Sequence, residues 1–350
     1  MGMKRVGLVG VTGYTGMELA RLLLGHPGMR LTQVTSRKEA GQALQRIYPF
    51  LQGTELGDLE ITQPDSAFLA ANCELVFLAV PHGTAMEMAA ELRKHGARVV
   101  DLSADFRLRD KDVYQGWYKV EHTQPDLLSE AVYGLPELYA DRIAGAGLVA
   151  NPGCYPTSAI LALYPALQAG LIAPEDLVID SKSGTTGAGR KAGVGTLYCE
   201  VSDTFRAYNL TKHRHTPEIE QELGLAAGRS LCLSFNTHLL PINRGILTTA
   251  YAKLMPGVGL EQVRSCYAEF YAGKKWVRIL PQGVLPETRW VRGTNFCDLG
   301  LVTDPRTDRL IVLSAIDNLC RGASGQAVAN ANLMLGLDPD AGLPFAPLMP

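Results

Sequence analysis

One short block constrains this chain more than any other. Lys4-Arg5-Val6-Gly7-Leu8-Val9 leads into Gly10-Val11-Thr12-Gly13-Tyr14-Thr15-Gly16, and then into a helical repeat of Met17, Leu19, Ala20, Leu23 and Leu24. A buried strand, a glycine-rich turn and a helix in that order are what a dinucleotide-binding unit needs. The glycines permit a tight turn and let backbone amides approach a pyrophosphate at the helix N-terminus. The spacing is G-x-x-G-x-x-G rather than G-x-G-x-x-G, so the placement between strand and helix carries more weight than the letters. His26-Pro27-Gly28 stops the helix, and Met29–Val34 is the next strand. Glu74–Val80, Ala97–Leu102 and Leu148–Ala150 are further strands, with Thr84–Lys94 helical between two of them. Strands alternating with helices imply a parallel sheet covered on both faces.

The second half reads differently. Leu177–Lys182, Ser230–Thr237, Ile246–Leu254, Val277–Leu280, Phe296–Thr303 and Arg309–Ile316 are strand candidates with few helices among them, chiefly Leu260–Tyr271 and a last one over Gly325–Leu335. That pattern predicts a largely antiparallel or mixed sheet in an α+β domain. The final helix is expected to return to the first domain, giving residues 1–153 with 320–350 as one domain and 154–319 as the other. The tail after Leu337 is Pro-rich and expected to be irregular. With 350 residues there is room for two such cores.

Composition narrows the function classes. A net charge of −2 gives no basic excess for binding nucleic acid, and 47% hydrophobic against 19% charged residues excludes wholesale disorder. No apolar run approaches the ~20 residues of a membrane span. The N-terminus lacks the features of a signal peptide, so a cytoplasmic location is expected. Seven cysteines without a Cys-x-x-Cys pair indicate neither a disulfide framework nor a zinc site, and no metal is expected.

Two places carry the candidate chemistry. At the end of the second strand stand Ser36 and Arg37, a hydroxyl and a guanidinium suited to a 2′-phosphate, with no carboxylate before Glu39; the nucleotide is expected to be NADP(H). Gly10, Thr12, Gly13, Tyr14, Thr15 and Gly16 are expected around its phosphates, and Pro81, His82 and Gly83, with Ser103, along the same crevice. The second place is Asn151-Pro152-Gly153-Cys154-Tyr155-Pro156-Thr157, joining a short strand to an apolar helix at Ser158–Leu167. A thiol at a helix start feels the positive end of the dipole, which favours the thiolate, and the same amides suit an oxyanion. A partner base is expected in Lys212-His213-Arg214-His215-Thr216-Pro217-Glu218. In an extended segment His213 and His215 would point the same way, with Glu218 or a backbone group orienting one of them. His26, His95 and His122 read as surface or turn residues, and His238 has no assigned role.

These blocks occur in one order with DLSADFR at 101–107, SGTTGAGR at 183–190, NRGILTTAY at 243–251, GTNFCDLG at 293–300 and AIDNLCRGASGQAVAN at 315–330. Over nearly the whole chain they resemble the N-acetyl-γ-glutamyl-phosphate reductase family of arginine biosynthesis, and more broadly the semialdehyde dehydrogenases. The resemblance implies an α/β chain, with an N-terminal Rossmann NADP-binding domain and an α+β catalytic and dimerisation domain like that of glyceraldehyde-phosphate dehydrogenase. It puts the nucleophile on Cys154 and the acid/base within the histidine pair, His215 being favoured and His213 left open. Gly187, Ala188 and Gly189 would lie near the nicotinamide, as would Asn318, while Arg107 and Asn151 would bind substrate. The implied reaction is NADPH-dependent reduction of an acyl phosphate, a small-molecule substrate, to a semialdehyde through a cysteine thioester, in a homodimer or homotetramer. Pro152 and Pro156 favour the N-acetylglutamyl substrate over that of the LysW-aminoadipyl-phosphate reductases. Aspartate-semialdehyde dehydrogenase and a non-catalytic NADPH-binding redox sensor are the other readings.

Overall fold

The computed structural model describes residues 2–349, which divide into two compact units. One comprises residues 2–152 with Ala323–Leu343, the other Gly153–Gly322 with residues 344–349.

The first unit is a seven-stranded, all-parallel sheet. Its elements are β1 (Lys4–Val9), α1 (Tyr14–Leu24), β2 (Met29–Thr35), α2 (Leu44–Ile47), β3 (Ile61–Thr62), α3 (Ser66–Asn72), β4 (Leu75–Leu78), α4 (Ala85–Lys94), β5 (Arg98–Asp101), α5 (Lys111–Tyr118), α6 (Pro125–Glu130), β6 (Val132–Tyr133), α7 (Pro136–Ala144) and β7 (Leu148–Ala150). The strand order is β3-β2-β1-β4-β5-β7-β6. Parallel strands flanked by helices are buried on both faces, which is why Leu75-Val76-Phe77-Leu78 is an unbroken apolar run with every residue buried. Each such side chain stabilises the fold by roughly 1.5–3 kcal/mol relative to exposure. The order reverses between β1 and β4, leaving a crevice beyond their carboxyl ends, the place where an open α/β sheet takes its ligand. Periodicity had not indicated the short strands β3 and β6, nor α5, α6 and α7 between β5 and β7, whose helices are six to nine residues long.

The second unit follows with α8 (Cys154–Gln168), β8 (Val178–Ser183), α9 (Tyr198–Val201), β9 (Arg206–Tyr208), α10 (Thr216–Ala227), β10 (Ser234–Leu239), β11 (Ile246–Lys253), α11 (Leu260–Phe270), β12 (Val277–Ile279), β13 (Cys297–Asp304) and β14 (Arg309–Ile316). Its seven strands run β12-β13-β14-β11-β8-β10-β9, antiparallel except for the β10–β8 and β12–β13 pairs, so the mixed sheet expected from sequence is found. The strand expected from Ser230 begins at Ser234. Residues of β11 alternate between buried and half-exposed up to Ala252. The buried face carries small hydroxyls that let α8 settle close: Ser158 Oγ lies 2.9 Å from both Thr248 Oγ1 and Ser314 Oγ. Pro165 inside α8 cannot donate to the carbonyl of Leu161, and the Tyr271 hydroxyl donates to that oxygen instead at 2.6 Å. Residues 344–349 also belong here, Phe345 stacking on Trp276 with ring centroids 4.8 Å apart.

The last helix, α12 (Gly325–Leu335), completes the first unit, packing against α1, α7 and β5. Asn330 donates to the Gly134 carbonyl at 2.9 Å and to Asn151 Oδ1 at 3.0 Å. Asn332 accepts from His26 Nε2 at 3.1 Å, while His26 Nδ1 accepts the backbone N–H groups of Gly28 and Met29. His26 therefore sits in the turn expected but is a buried fastener and not a surface residue, and burial holds its pKa below the ordinary histidine value. Among the described residues no helix is long and apolar enough to cross a membrane.

Candidate active site

In the first unit the three glycines after β1 do different jobs. Gly10 has φ +85°, and a Cβ on it would run into the Ala79 carbonyl that follows β4. On Gly16 a Cβ would press into the Val11 backbone at 2.8 Å, so this glycine lets α1 start tight against the loop. Gly13 is the contrary case: a Cβ there would meet only the Gly10 carbonyl at 3.8 Å, and the space before it is open. No side chain caps α1, and no acidic residue lies in its first turn. The loop is fixed from behind, since Gly10 and Val11 both donate to the Thr35 carbonyl, Tyr48 to the Val11 carbonyl and Ser324 to the Thr15 carbonyl. A rigid, open-fronted loop at a positive helix end is a cradle for an anion. The residues at the end of β2 stand beside it, Ser36 Oγ lying 3.4 Å from Thr12 Oγ1 and donating to the Glu39 carboxylate, with Arg37 exposed.

After β4, Pro81, His82 and Gly83 are exposed and held from below. His82 Nδ1 accepts the Ala104 N–H at 3.0 Å, which puts the ring proton on Nε2. Asp105 does most of the holding: its carboxylate accepts from Gly83 and Ala85 N–H and from the Tyr114 hydroxyl, capping α4 from 20 residues away. His122 donates from Nε2 to the Asp105 carbonyl at 2.7 Å and is buried against Phe106 and Tyr114, so it too corrects the expectation of a surface or turn residue. His95, on the exposed end of α4, fits that expectation. Ser103 is buried, its hydroxyl donating to Asp101 and accepting from Asp105 N–H. Burial, reinforced by the charge of Asp105, pushes the Asp101 carboxyl up to about 7. Arg107 is buried and donates to the carbonyls of Asn151 (2.8 Å) and Leu102 (2.9 Å), and Asn151 donates to the Ala323 carbonyl at 3.1 Å. Sequence reasoning named Arg107 and Asn151 as ligand contacts and overlooked Asp105, two residues before Arg107 in the same motif.

The second unit brings two helix N-termini together. Cys154 is the first residue of α8, half-buried, behind Gly153 as N-cap. His215 occupies the N-cap of α10, followed by Pro217 and Glu218 in its first turn. The buried Glu218 accepts the Gly153 N–H at 2.8 Å and so ties the start of α10 to the turn that presents the thiol. Tyr155, next to Cys154, meets both imidazoles edge-on, with centroids 5.3 Å from His213 and 6.0 Å from His215. The two rings lie 4.8 Å apart because the segment turns, and the Nδ1 of His213 accepts the His215 N–H at 3.2 Å; the segment is not the extended one considered from sequence. Tyr155, Tyr208 and Phe235 surround His213. That burial, with the Arg214 charge second, pulls it down to about 4, so it is neutral near pH 7.

Two more parts of this unit frame the thiol. Gly322, in the π-helical turn Cys320–Ser324, lies so close that a Cβ on it would stand 2.7 Å from Cys154 Cβ and 3.1 Å from its Cα. Asp317 holds that turn, accepting from Leu319 and Cys320 N–H, from Gly293 N–H and from two nitrogens of Arg244. Gly187, Ala188 and Gly189 are exposed on the loop after β8. Asn318 anchors that loop, donating to Thr186 Oγ1 at 2.9 Å and accepting the Gly245 N–H at 2.8 Å. Sequence reasoning gave no role to Gly322, Asp317 or Tyr155, because Cys154, Arg244 and the two histidines that they meet lie far along the chain.

Comparison with known proteins agrees with this layout. A family described as "Semialdehyde dehydrogenase, NAD binding domain" matches residues 5–146, and "Semialdehyde dehydrogenase, dimerisation domain" matches residues 154–318. The N-acetyl-gamma-glutamyl-phosphate reductase of Pelotomaculum thermopropionicum is 51% identical over 347 residues, covering 99% of each chain. That of Desulfotalea psychrophila is 51% identical over 99% of this chain and 100% of its own. Among solved structures, aspartate semialdehyde dehydrogenase II of Vibrio cholerae matches with a TM-score of 0.72 at 14% identity, over 96% of this chain and 99% of that one. The Candida albicans aspartate semialdehyde dehydrogenase with NADP matches with a TM-score of 0.71 at 17% identity, over 95% and 99%. At such identities these two structures speak to the fold alone.

Proposed function

This chain belongs to the semialdehyde dehydrogenases, in the branch of the N-acetyl-γ-glutamyl-phosphate reductases, and from that premise we propose how its own residues carry out that reduction. The substrate is N-acetyl-γ-glutamyl phosphate, the products its semialdehyde and inorganic phosphate, and the cofactor NADP(H). One observation carries the assignment of roles: Glu218 ties the thiol-bearing helix start to the histidine-bearing one, with Tyr155 against both imidazoles.

The loop Gly10–Gly16 suits the pyrophosphate, since the space before Gly13 is open and the first turn of α1 carries no capping side chain. Thr12, Tyr14 and Thr15 lie along it, and we assign Ser36 and Arg37 to the adenosine 2′-phosphate and Pro81–Gly83 to the same crevice. We assign Gly187–Gly189 and Asn318 of the second unit to the nicotinamide. When bound, NADPH supplies the hydride.

Cys154 is the nucleophile. Its thiolate attacks the acyl carbon, the carbon–oxygen bond to phosphate breaks, and the acyl group remains on Sγ as a thioester. The amides at the start of α8 face the developing oxyanion. His215 takes the thiol proton before attack and lends it to the oxygen of the reduced acyl group. It recovers that proton as the carbon–sulfur bond breaks, the aldehyde departs and the thiolate is regenerated. His213 is a poor base for this purpose, because its cage keeps it neutral and its Nδ1 already accepts the His215 N–H. We assign Glu218 to positioning the Cys154 turn, and Arg107, Asn151 and Ser103 to bracing the nucleotide unit, because their polar groups are spent on backbone and neighbouring side chains.

The assembly is a homo-oligomer built on the second unit, at least a dimer. Val178, Leu247, Tyr251, Ile311 and Leu313 make the outer face of its sheet half-exposed and apolar, which suits a second copy. A thiol nucleophile also calls for a reducing compartment, the cytoplasm.

The test is NADP⁺ reduction by the purified protein with N-acetylglutamate semialdehyde, with and without phosphate. Phosphate-dependent NADPH formation is expected, and Cys154→Ser should abolish it while nucleotide binding persists. No formation by folded, nucleotide-bound protein would refute the substrate; turnover surviving in Cys154→Ser would refute the nucleophile.

A further inference from the structure

We infer that Glu39 sets how sharply this chain distinguishes NADP(H) from NAD(H). The inference rests on the dinucleotide reading above and concerns its ribose end. In a unit of this topology the tip of β2 reads the 2′ substituent: a carboxylate there accepts the ribose hydroxyl, whereas a basic side chain pairs with a 2′-phosphate. Here both kinds of group are present. Arg37 and Lys38 are exposed at the tip, and the Glu39 carboxylate turns back to accept the hydroxyl proton of Ser36, which itself lies 3.4 Å from Thr12 Oγ1 of the phosphate loop.

Two consequences follow for the ligand. A 2′-phosphate is an acceptor, so Ser36 can serve it only by withdrawing its proton from Glu39. It also brings close to two negative charges beside an existing one, a repulsion that the neighbouring cations reduce but do not remove. A 2′-hydroxyl meets neither obstacle, since it is itself a donor and Glu39 has a second oxygen to accept it. Glu39 thus weakens the phosphorylated nucleotide and supports the unphosphorylated one, bringing the two affinities together.

The experiment is isothermal titration of NADP⁺ and NAD⁺ into wild type, Glu39→Gln and Ser36→Ala, without substrate. Glu39→Gln keeps the side-chain volume on a partly exposed loop and removes only the charge. It should tighten NADP⁺ by about fivefold, leave NAD⁺ unchanged or weaker, and lose most of that gain at high salt. Ser36→Ala should weaken NADP⁺ more than NAD⁺. An unchanged ratio of the two dissociation constants in Glu39→Gln, or equal tightening of both nucleotides, would overturn the inference while leaving the nucleotide site intact. If wild type bound neither nucleotide, the dinucleotide reading itself would fall, and this inference with it.

Discussion

His213 should make the folded protein sensitive to mild acid. Its ring is enclosed by Tyr155, Tyr208 and Phe235, and burial pulls it from 6.5 to about 4. Folding therefore disfavours its protonated form. Above pH 6.5 the ring is neutral in both states and contributes no pH dependence. As the pH falls below 6.5 the unfolded chain takes up the proton first, and stability is lost until the folded ring also protonates near 4. At ~1.4 kcal/mol per tenfold in proton concentration the full loss is on the order of 3 kcal/mol, of which about 2 kcal/mol is already gone at pH 5. The assay is urea unfolding at pH 7 and pH 5 for wild type and for His213→Gln, which keeps an acceptor for the His215 N–H but cannot protonate. His26 and His122, also lowered by burial, affect both proteins alike. Wild type should lose about 2 kcal/mol more than the variant between the two pH values. Equal losses would refute the reasoning, as would a His213 resonance titrating near 6.5 in the folded protein.

Two substitutions test the frame around Cys154. Gly322→Ala places a methyl 2.7 Å from Cys154 Cβ, and the overpacking should cost ~1–3 kcal/mol and change the iodoacetamide alkylation rate of Cys154. A melting temperature and alkylation rate equal to wild type would mean that the turn yields freely. Glu218→Ala leaves the Gly153 N–H without its acceptor and should cost ~1–3 kcal/mol and most of kcat. Glu218→Gln, whose amide oxygen can still accept, should retain much more of both; matching losses in urea midpoint and kcat would show that the charge, not the hydrogen bond, matters.

What the sequence disclosed follows the range of the interaction behind each feature. The strand, loop and helix from Lys4 to Leu24 are local, and so is the sharp turn Asn151–Gly153 before Cys154, which is why both could be read directly. The histidines show the opposite. His26 meets Asn332, 306 residues on, and His122 meets a backbone carbonyl 17 residues back, so neither role is written next to the residue. Glu218 or a backbone group was expected to orient one of the histidines; its carboxylate reaches Gly153, 65 residues earlier. At β2 the run Ser36-Arg37-Lys38 offered a hydroxyl and a guanidinium with no carboxylate before Glu39, and only the fold of the loop brings Glu39 back onto Ser36. The two histidines of the HRH motif do converge, but through a turn that gives each a different environment. That difference, not their spacing, is the ground on which His215 rather than His213 is proposed as the base.

The return of α12 has a bearing on how the molecule is made. Residues 153–322 are contiguous, so most of the unit they build can close once they are synthesised, lacking only the short segment that brings Phe345 onto Trp276. The unit that begins first cannot. Asn330, which bonds Gly134 and Asn151, and Asn332, which receives His26, arrive only with the last stretch of chain. During translation the nucleotide-binding unit thus waits, with the flank that α12 will cover still bare, while the later segment folds ahead of it. A nascent chain released before Leu335 would carry the thiol and its histidines in a largely folded frame while its nucleotide unit is unfinished, a form suited to capture by chaperones rather than to turnover.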